Sequence, residues 1–89
     1  MDWSELSELL TTRELECFCL LLYGKPGREI AEILNLSKRT VEEYIFNIKN
    51  KLLLDSLSEV IGFAYDNKFV SLSPELATMM LRLNQKIES

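Results

Sequence analysis

Gly27-Arg28-Glu29-Ile30-Ala31-Glu32-Ile33-Leu34-Asn35-Leu36-Ser37-Lys38-Arg39-Thr40-Val41-Glu42-Glu43-Tyr44-Ile45-Phe46-Asn47-Ile48-Lys49-Asn50-Lys51-Leu52 is the stretch that decides the fold. Ile30, Ile33 and Leu34 recur at helical spacing with Ala31 beside them. Val41, Ile45, Ile48 and Leu52 then follow at steps of four, three and four, one stripe of an amphipathic helix. Only Asn35, Leu36 and Ser37 separate the two. Asn accepts the left-handed conformation that ends a helix, Ser is a preferred N-cap for the next, and Leu36 between them is a buried pin at the corner. Two helices with so short a joint, the second with a polar outer face, read as a helix-turn-helix.

Upstream, Trp3, Leu6, Leu9 and Leu10 fall at three- and four-residue steps, which makes residues 1–10 a short amphipathic turn or two packing on the core. Thr11 and Glu14 form a capping box, with Leu10 and Leu15 as its hydrophobic staple. The helix they open should run from Thr12 to Tyr23, closed by Gly24. Between Leu15 and Tyr23 only Glu16 is polar, so this helix must be buried on more than one side. Cover for Cys19, Leu22 and Tyr23 can come from the N-terminal turn or from the C-terminal extension.

Downstream of the Lys25-Pro26-Gly27 loop and the helix pair, Ser56 and Glu59 make a second capping box. It opens a helix over Leu57–Asp66 with Leu57, Val60, Ile61, Ala64 and Tyr65 as apolar positions and Asn67 as its stop. Phe69 and Val70 fold back on the core and complete a domain over residues 11–70. In the extension, residues 71–89, Ser73 caps and Pro74 takes the first helical position, and Leu76, Met79, Met80, Leu83 and Ile87 form one stripe. That stripe either packs on the first long helix of its own chain or forms a dimer seam or docking face, where two Met residues suit an adaptable surface.

Eighty-nine residues with 47% apolar and 27% charged content describe one small globular domain with a single core. No run is apolar and long enough to span a membrane, and the opening Met1-Asp2-Trp3-Ser4-Glu5 lacks a secretion signal, so the cytoplasm is expected. Cys17 and Cys19, two apart on a helix, point away from each other and are expected as buried thiols; a redox role for Cys19 has no positive support. With no His and two Cys there is no zinc ligand set, and no cofactor is expected. The net charge of −4 opposes nucleic-acid binding in sum, but Lys25 to Lys51 holds six basic residues against four acidic ones, a local net of +2.

Taken together, Leu10-Thr11, Arg13-Glu14, Gly24, Glu29-Ile30-Ala31, Leu34, Leu36-Ser37, Thr40-Val41, Tyr44, Ile48 and Lys51-Leu52 give residues 10–70 a strong resemblance to the LuxR-type (GerE-type) helix-turn-helix domain of bacterial transcription regulators. The resemblance implies an all-α fold of four helices, here with the N-terminal turn and the C-terminal helix added. It implies that the helix over residues 38–52 enters the DNA major groove, and that the next helix, with Val60, Ile61 and Ala64, contributes to a homodimer. Met79, Met80, Leu83 and Ile87 are the further candidates for a dimer or partner interface. The family pattern commonly reads Lys-Leu-Gly where this chain has Lys51-Leu52-Leu53, and it places polar or basic groups at the positions of Glu43 and Phe46.

With Val41, Ile45, Ile48 and Leu52 inward, the opposite face of that helix carries Arg39, Glu43, Phe46, Asn47 and Asn50, with Glu42 at its edge. Lys38 and Arg39 in the first turn can reach phosphates or, for Arg, the acceptor pair of guanine. Ser37 and Thr40 stand at a helix start whose N–H groups attract anions. Asn47 and Asn50 can read adenine, Phe46 can meet a thymine methyl, and Glu43 can accept from cytosine. Lys25, Arg28, Lys49 and Lys51 are candidate backbone contacts.

Two readings follow. In the first the chain is a DNA-binding transcription regulator whose partner is double-stranded DNA. In the second it is a protein-interaction module that keeps the fold but binds DNA weakly or not at all, because Glu42 and Glu43 repel phosphate. Lys38, Arg39, Lys49 and Lys51 can also be an ordinary solvated face pairing with Glu42 and Glu43, since Arg39–Glu43 and Lys38–Glu42 are four apart on one helix. No feature supports an enzyme: there is no His, no Gly-rich phosphate loop and no carboxylate pair in a cleft. A sensing domain does not fit in this length, so the chain is read as a stand-alone regulator or an excised C-terminal domain, with a regulatory protein or upstream sensor domain as a further partner.

Overall fold

The computed structural model describes residues 1–69, which form five helices without strands: α1 (Trp3–Leu9), α2 (Thr12–Leu22), α3 (Gly27–Leu34), α4 (Lys38–Lys51) and α5 (Leu57–Asp66). The helix expected over residues 74–88 and its stripe of Met79, Met80, Leu83 and Ile87 lie outside the described residues, as does Val70.

Side-chain oxygens open four of the helices. Asp2 accepts from the Glu5 N–H at 2.8 Å, Thr11 from Glu14 at 3.2 Å, Ser37 from Thr40 at 3.1 Å and Ser56 from Glu59 at 3.2 Å. The Thr11–Glu14 capping box is reciprocal, with the Thr11 N–H returning to the Glu14 carboxylate at 2.9 Å. At α5 the Glu59 carboxylate instead reaches one residue further, to the Asp55 N–H at 3.2 Å. The N-terminal segment, expected as a turn or two, is a two-turn helix with its own Asp2–Glu5 capping box.

Helices α2 to α5 all stop in the same way. Lys25, Leu36, Leu54 and Phe69 each donate their N–H five residues back, to Leu20, Ala31, Lys49 and Ala64, at 3.0, 2.8, 2.8 and 2.9 Å. The residue before each donor is left-handed: Gly24 (φ 85°), Asn35 (φ 56°), Leu53 (φ 59°) and Lys68 (φ 61°). This is the Schellman arrangement, which satisfies carbonyls that the last helical turn leaves open. Gly and Asn suit that backbone; Leu and Lys do not. Helix α5 ends with Asn67 as its C-cap, as expected, its side-chain amide donating to Phe63 O at 2.9 Å, and the left-handed residue follows one position later at Lys68.

The core forms around α2. Leu15, Cys17, Phe18, Cys19, Leu20 and Leu21 are all buried, as an apolar-all-round helix requires. Leu6 and Leu10 from the N-terminal segment, Ile30, Ala31 and Leu34 from α3, Val41, Ile48 and Leu52 from the α4 stripe, and Val60 and Ala64 from α5 close around it. Phe69 is buried among Trp3, Phe18 and Phe63, with ring centroids 6.2, 6.3 and 6.0 Å away, so the N-terminal segment and the turn that follows α5 meet over α2. The Met1 backbone nitrogen lies 2.6 Å from Asn67 Oδ1 at the same junction.

Three expectations about burial are corrected. Tyr23 is exposed, as the C-cap of α2, with the Lys25 ammonium 5.4 Å from its ring centroid. Leu57 and Tyr65 are exposed as well: α5 buries the face of Val60 and Ala64, and it is Phe63 that packs beside Phe69. Leu36 is half-buried at the corner rather than a fully enclosed pin.

Candidate nucleic-acid interface

Asn35 turns the chain out of α3, Leu36 packs against the core, and Ser37 restarts it as α4 three residues after α3 ends. The Ser37 hydroxyl accepts the Thr40 N–H and lies 2.8 Å from the Thr40 hydroxyl, so these two side chains close the corner between themselves. The first turn of α4 is thereby held while its side chains face water. Lys38 is exposed, and the Arg39 side chain is 89% exposed.

One face of α4 carries Arg39, Glu43, Phe46, Asn47 and Asn50, all exposed, with Glu42 exposed at its edge. Positions four, seven, eight and eleven beyond Arg39 fall on one side of a 3.6-residue helix, opposite Val41, Ile48 and Leu52. Arg39 Nε and Glu43 Oε1 stand 3.7 Å apart, an open i,i+4 pair that solvent screens. Phe46 is 58% exposed, a large apolar surface in the middle of this face. Arg28 at the start of α3 is exposed, Lys49 is half-buried, and Lys25 lies 3.8 Å from Glu29 Oε2.

Lys51 has a different role from the one its charge suggests. Its Nζ donates to Glu14 Oε1 at 2.7 Å, and Glu14 is 3% exposed. The same oxygen accepts the Thr11 N–H, so one carboxylate caps the start of α2 and receives the last residue of α4. Burial pushes the Glu14 carboxyl up, but the hydrogen bonds from Lys51 and Thr11 and the Lys51 charge together leave it below its ordinary value of 4.5. Capping boxes are local and readable; the ammonium that completes this one comes from 37 residues away, and no local pattern announces it.

Burial pushes both thiols up to about 12, helped by Glu14 for Cys17 and by Glu16 and Cys17 for Cys19. They are neutral core side chains at any physiological pH. Of the residues expected to face a partner on α5, Val60 and Ala64 are fully buried in the chain's own core, and Ile61 is half-buried. No helix among the described residues is long and apolar enough to cross a membrane.

Residues 8–64 match the family described as GerE: Bacterial regulatory proteins, luxR family, well over half of the chain. The chain belongs to that family. Its relatives include the transcriptional regulatory protein LiaR of Bacillus subtilis (strain 168), 39% identical over 64 residues, 72% of this chain and 30% of LiaR. The transcriptional activator protein ExaE of Pseudomonas putida is 40% identical over 57 residues, 64% of this chain and 27% of ExaE. The response regulator protein VraR of Staphylococcus aureus (strain Mu3 / ATCC 700698) is 30% identical over 67 residues, 75% of this chain and 32% of VraR. The chain thus spans about a third of the length of these relatives. No solved structure is a significant match.

The four helices of the luxR-type domain are α2 to α5, and most of α1 precedes the matched residues. Leu53, where the resemblance implies a Gly, has a φ of 59°, a backbone that suits Gly better than Leu. Leu53 is also 90% exposed, so no packing of its side chain offsets the backbone strain.

Proposed function

We propose that this luxR-family chain is a DNA-binding transcription regulator that sets α4 in the major groove of double-stranded DNA. The observation that carries the reading is the exposed face of α4, where Lys38 and Arg39 stand in water at a Ser37-capped helix start and Asn47 and Asn50 follow on the same side. Lys38, Arg39, Arg28 and Lys49 neutralise phosphates, and Ser37 and Thr40 hold the turn that aims them. Arg39, Glu43, Phe46, Asn47 and Asn50 meet base edges. The protein acts as a homodimer on a two-fold site in the bacterial cytoplasm, under an upstream sensor domain or regulatory protein. The similarity to LiaR, a transcriptional regulatory protein, ExaE, a transcriptional activator, and VraR, a response regulator, supports that reading.

A specific observation favours a second reading. Phe46 is exposed amid Glu42 and Glu43, and an apolar ring beside two carboxylates suits a protein partner better than phosphate. Fluorescence anisotropy of a labelled generic duplex separates the two. The DNA reading expects binding at low salt that weakens linearly in log–log form, with a slope of about −0.9 for each phosphate neutralised. Absence of binding at low salt would overturn it in favour of the protein-interaction module.

A further inference from the structure

We infer that Lys51 serves DNA binding as a positioning residue, locking the C-terminal end of α4 to Glu14 of α2, and not as a phosphate contact. The inference rests on the DNA reading above and deepens it.

Three observations carry it. The Lys51 ammonium sits 2.7 Å from a carboxylate that is 3% exposed, so its charge is already paired within the fold, while its own side chain stays 35% exposed. The accepting oxygen is fixed from the other side by the Thr11 N–H at 2.9 Å, so it is an anchored acceptor and not a flexible surface group. The contact joins the first turn of α2, the helix at the centre of the core, to the final residue of α4, the helix that carries the exposed polar face.

Its mechanical consequence follows from helix length. The 14 residues of α4 span about 20 Å. Leu36 and the buried Val41 pack the start of α4 on the core, and at its other end the Glu14–Lys51 pair adds a polar tie to α2 beside the buried Ile48 and Leu52, so α4 is held at both ends. Releasing one end and tilting the axis by roughly 5° displaces the far side chains by about 2 Å over that length. A shift of that size breaks direct hydrogen bonds to base edges.

The test measures duplex affinity against salt for the full chain and its variants, at a temperature where circular dichroism shows each to be folded. Lys51→Met should weaken binding on the order of tenfold and leave the salt slope unchanged. Glu14→Gln, altering a group too buried to meet DNA, should weaken it in the same direction. The double variant should bind no worse than Lys51→Met alone. Lys51→Arg, which keeps the charge and the donor, should restore affinity. Lys38→Met serves as the contrast, lowering the slope by about 0.9. The inference is overturned if Lys51→Met lowers the slope by that amount while Glu14→Gln binds normally, because Lys51 would then be a phosphate contact. It is equally overturned if Lys51→Met changes neither affinity nor slope. A wild-type chain that binds no duplex at low salt is a separate result that removes the DNA reading and this inference together.

Discussion

The two ends of α4 are built on different principles. The start is local and wet: Ser37 caps it from three residues away, and Lys38 and Arg39 beside it are exposed. The end is long-range and partly dry. Lys51 reaches a buried carboxylate 37 residues earlier in the chain, and two residues later Leu53 is forced into a left-handed backbone. Basic residues on one helix therefore do different work according to where they sit. Those at the start are available to a partner, and the one at the end is already bound within the fold. Counting Lys and Arg along the segment misses that distinction, because the local net of +2 includes a charge that Glu14 neutralises.

The contrast predicts its largest effect on stability at Lys51. Truncating one member of a fully buried ion pair costs about 3–5 kcal/mol, because the other charge is left uncompensated. The Lys51 side chain is 35% exposed, and water softens the loss, so Lys51→Met should destabilise the fold by about 2 kcal/mol in urea unfolding. Lys38→Met at the exposed start should stay within about 0.5 kcal/mol. Equal costs at the two positions would break the distinction between the two ends.

Acid reports on the same pair. The Glu14 carboxyl lies below its ordinary value of 4.5 in the folded chain. A carboxylate depressed by folding contributes stability that is fully present above the unfolded value and is lost as pH falls through the folded one. Stability should therefore decline on acidification below 4.5, and Glu14→Gln should flatten that decline while lowering stability at neutral pH. Urea midpoints at several pH values measure both. A Glu14→Gln chain with the wild-type pH dependence would show that other carboxylates govern the acid limb.

Leu53 supplies the next effect, in the stabilising direction. A left-handed L-residue costs about 1–2 kcal/mol, and this one is exposed enough that its side chain returns little. Leu53→Gly should raise stability by about 0.5–1 kcal/mol after the extra unfolded-state entropy of Gly is set against the relief. The matching change at the stop of α2, Gly24→Ala, should destabilise by a similar amount. Open space surrounds that position, so only the backbone, at φ 85°, opposes a side chain. Opposite signs at two stops of the same geometry would isolate conformational strain from packing.

What could be read from the residues was mostly local. Thr11, Ser37 and Ser56 cap the helices they were expected to cap, and Gly24 and Asn35 stop theirs, because each acts within a few residues of its own position. The stripe of Val41, Ile48 and Leu52 is inward for the same reason. The Asp2–Glu5 box was equally local, and its Asp followed three residues on by Glu was the available signal. The Glu14–Lys51 pair was not legible, since neither residue's neighbours constrain the other. Nor were the left-handed residues Leu53 and Lys68, where the backbone follows the Schellman bonds against the residue's own preference. Val60 and Ala64 lie in the chain's own core, which periodicity could not foretell, because it gives a helix's apolar face without saying what covers it.

The smallest expected effect lies at the exposed start and concerns Arg39. Its Nε stands 3.7 Å from Glu43 Oε1, with both side chains largely in water, and such a pair contributes only about 0.2–0.5 kcal/mol to the helix. Glu43→Gln should therefore leave urea stability nearly unchanged while removing a carboxylate that competes with phosphate for Arg39. On the DNA reading, generic duplex affinity at low salt should rise by severalfold, because Arg39 no longer exchanges one anion for another and a repulsive charge has left the face. The salt slope should steepen modestly in parallel. A fall in affinity confined to particular sequences would place Glu43 against a cytosine amine and make it a reader of bases. Unaltered binding on every duplex tried would put Glu43, and the part of α4 it occupies, away from the DNA.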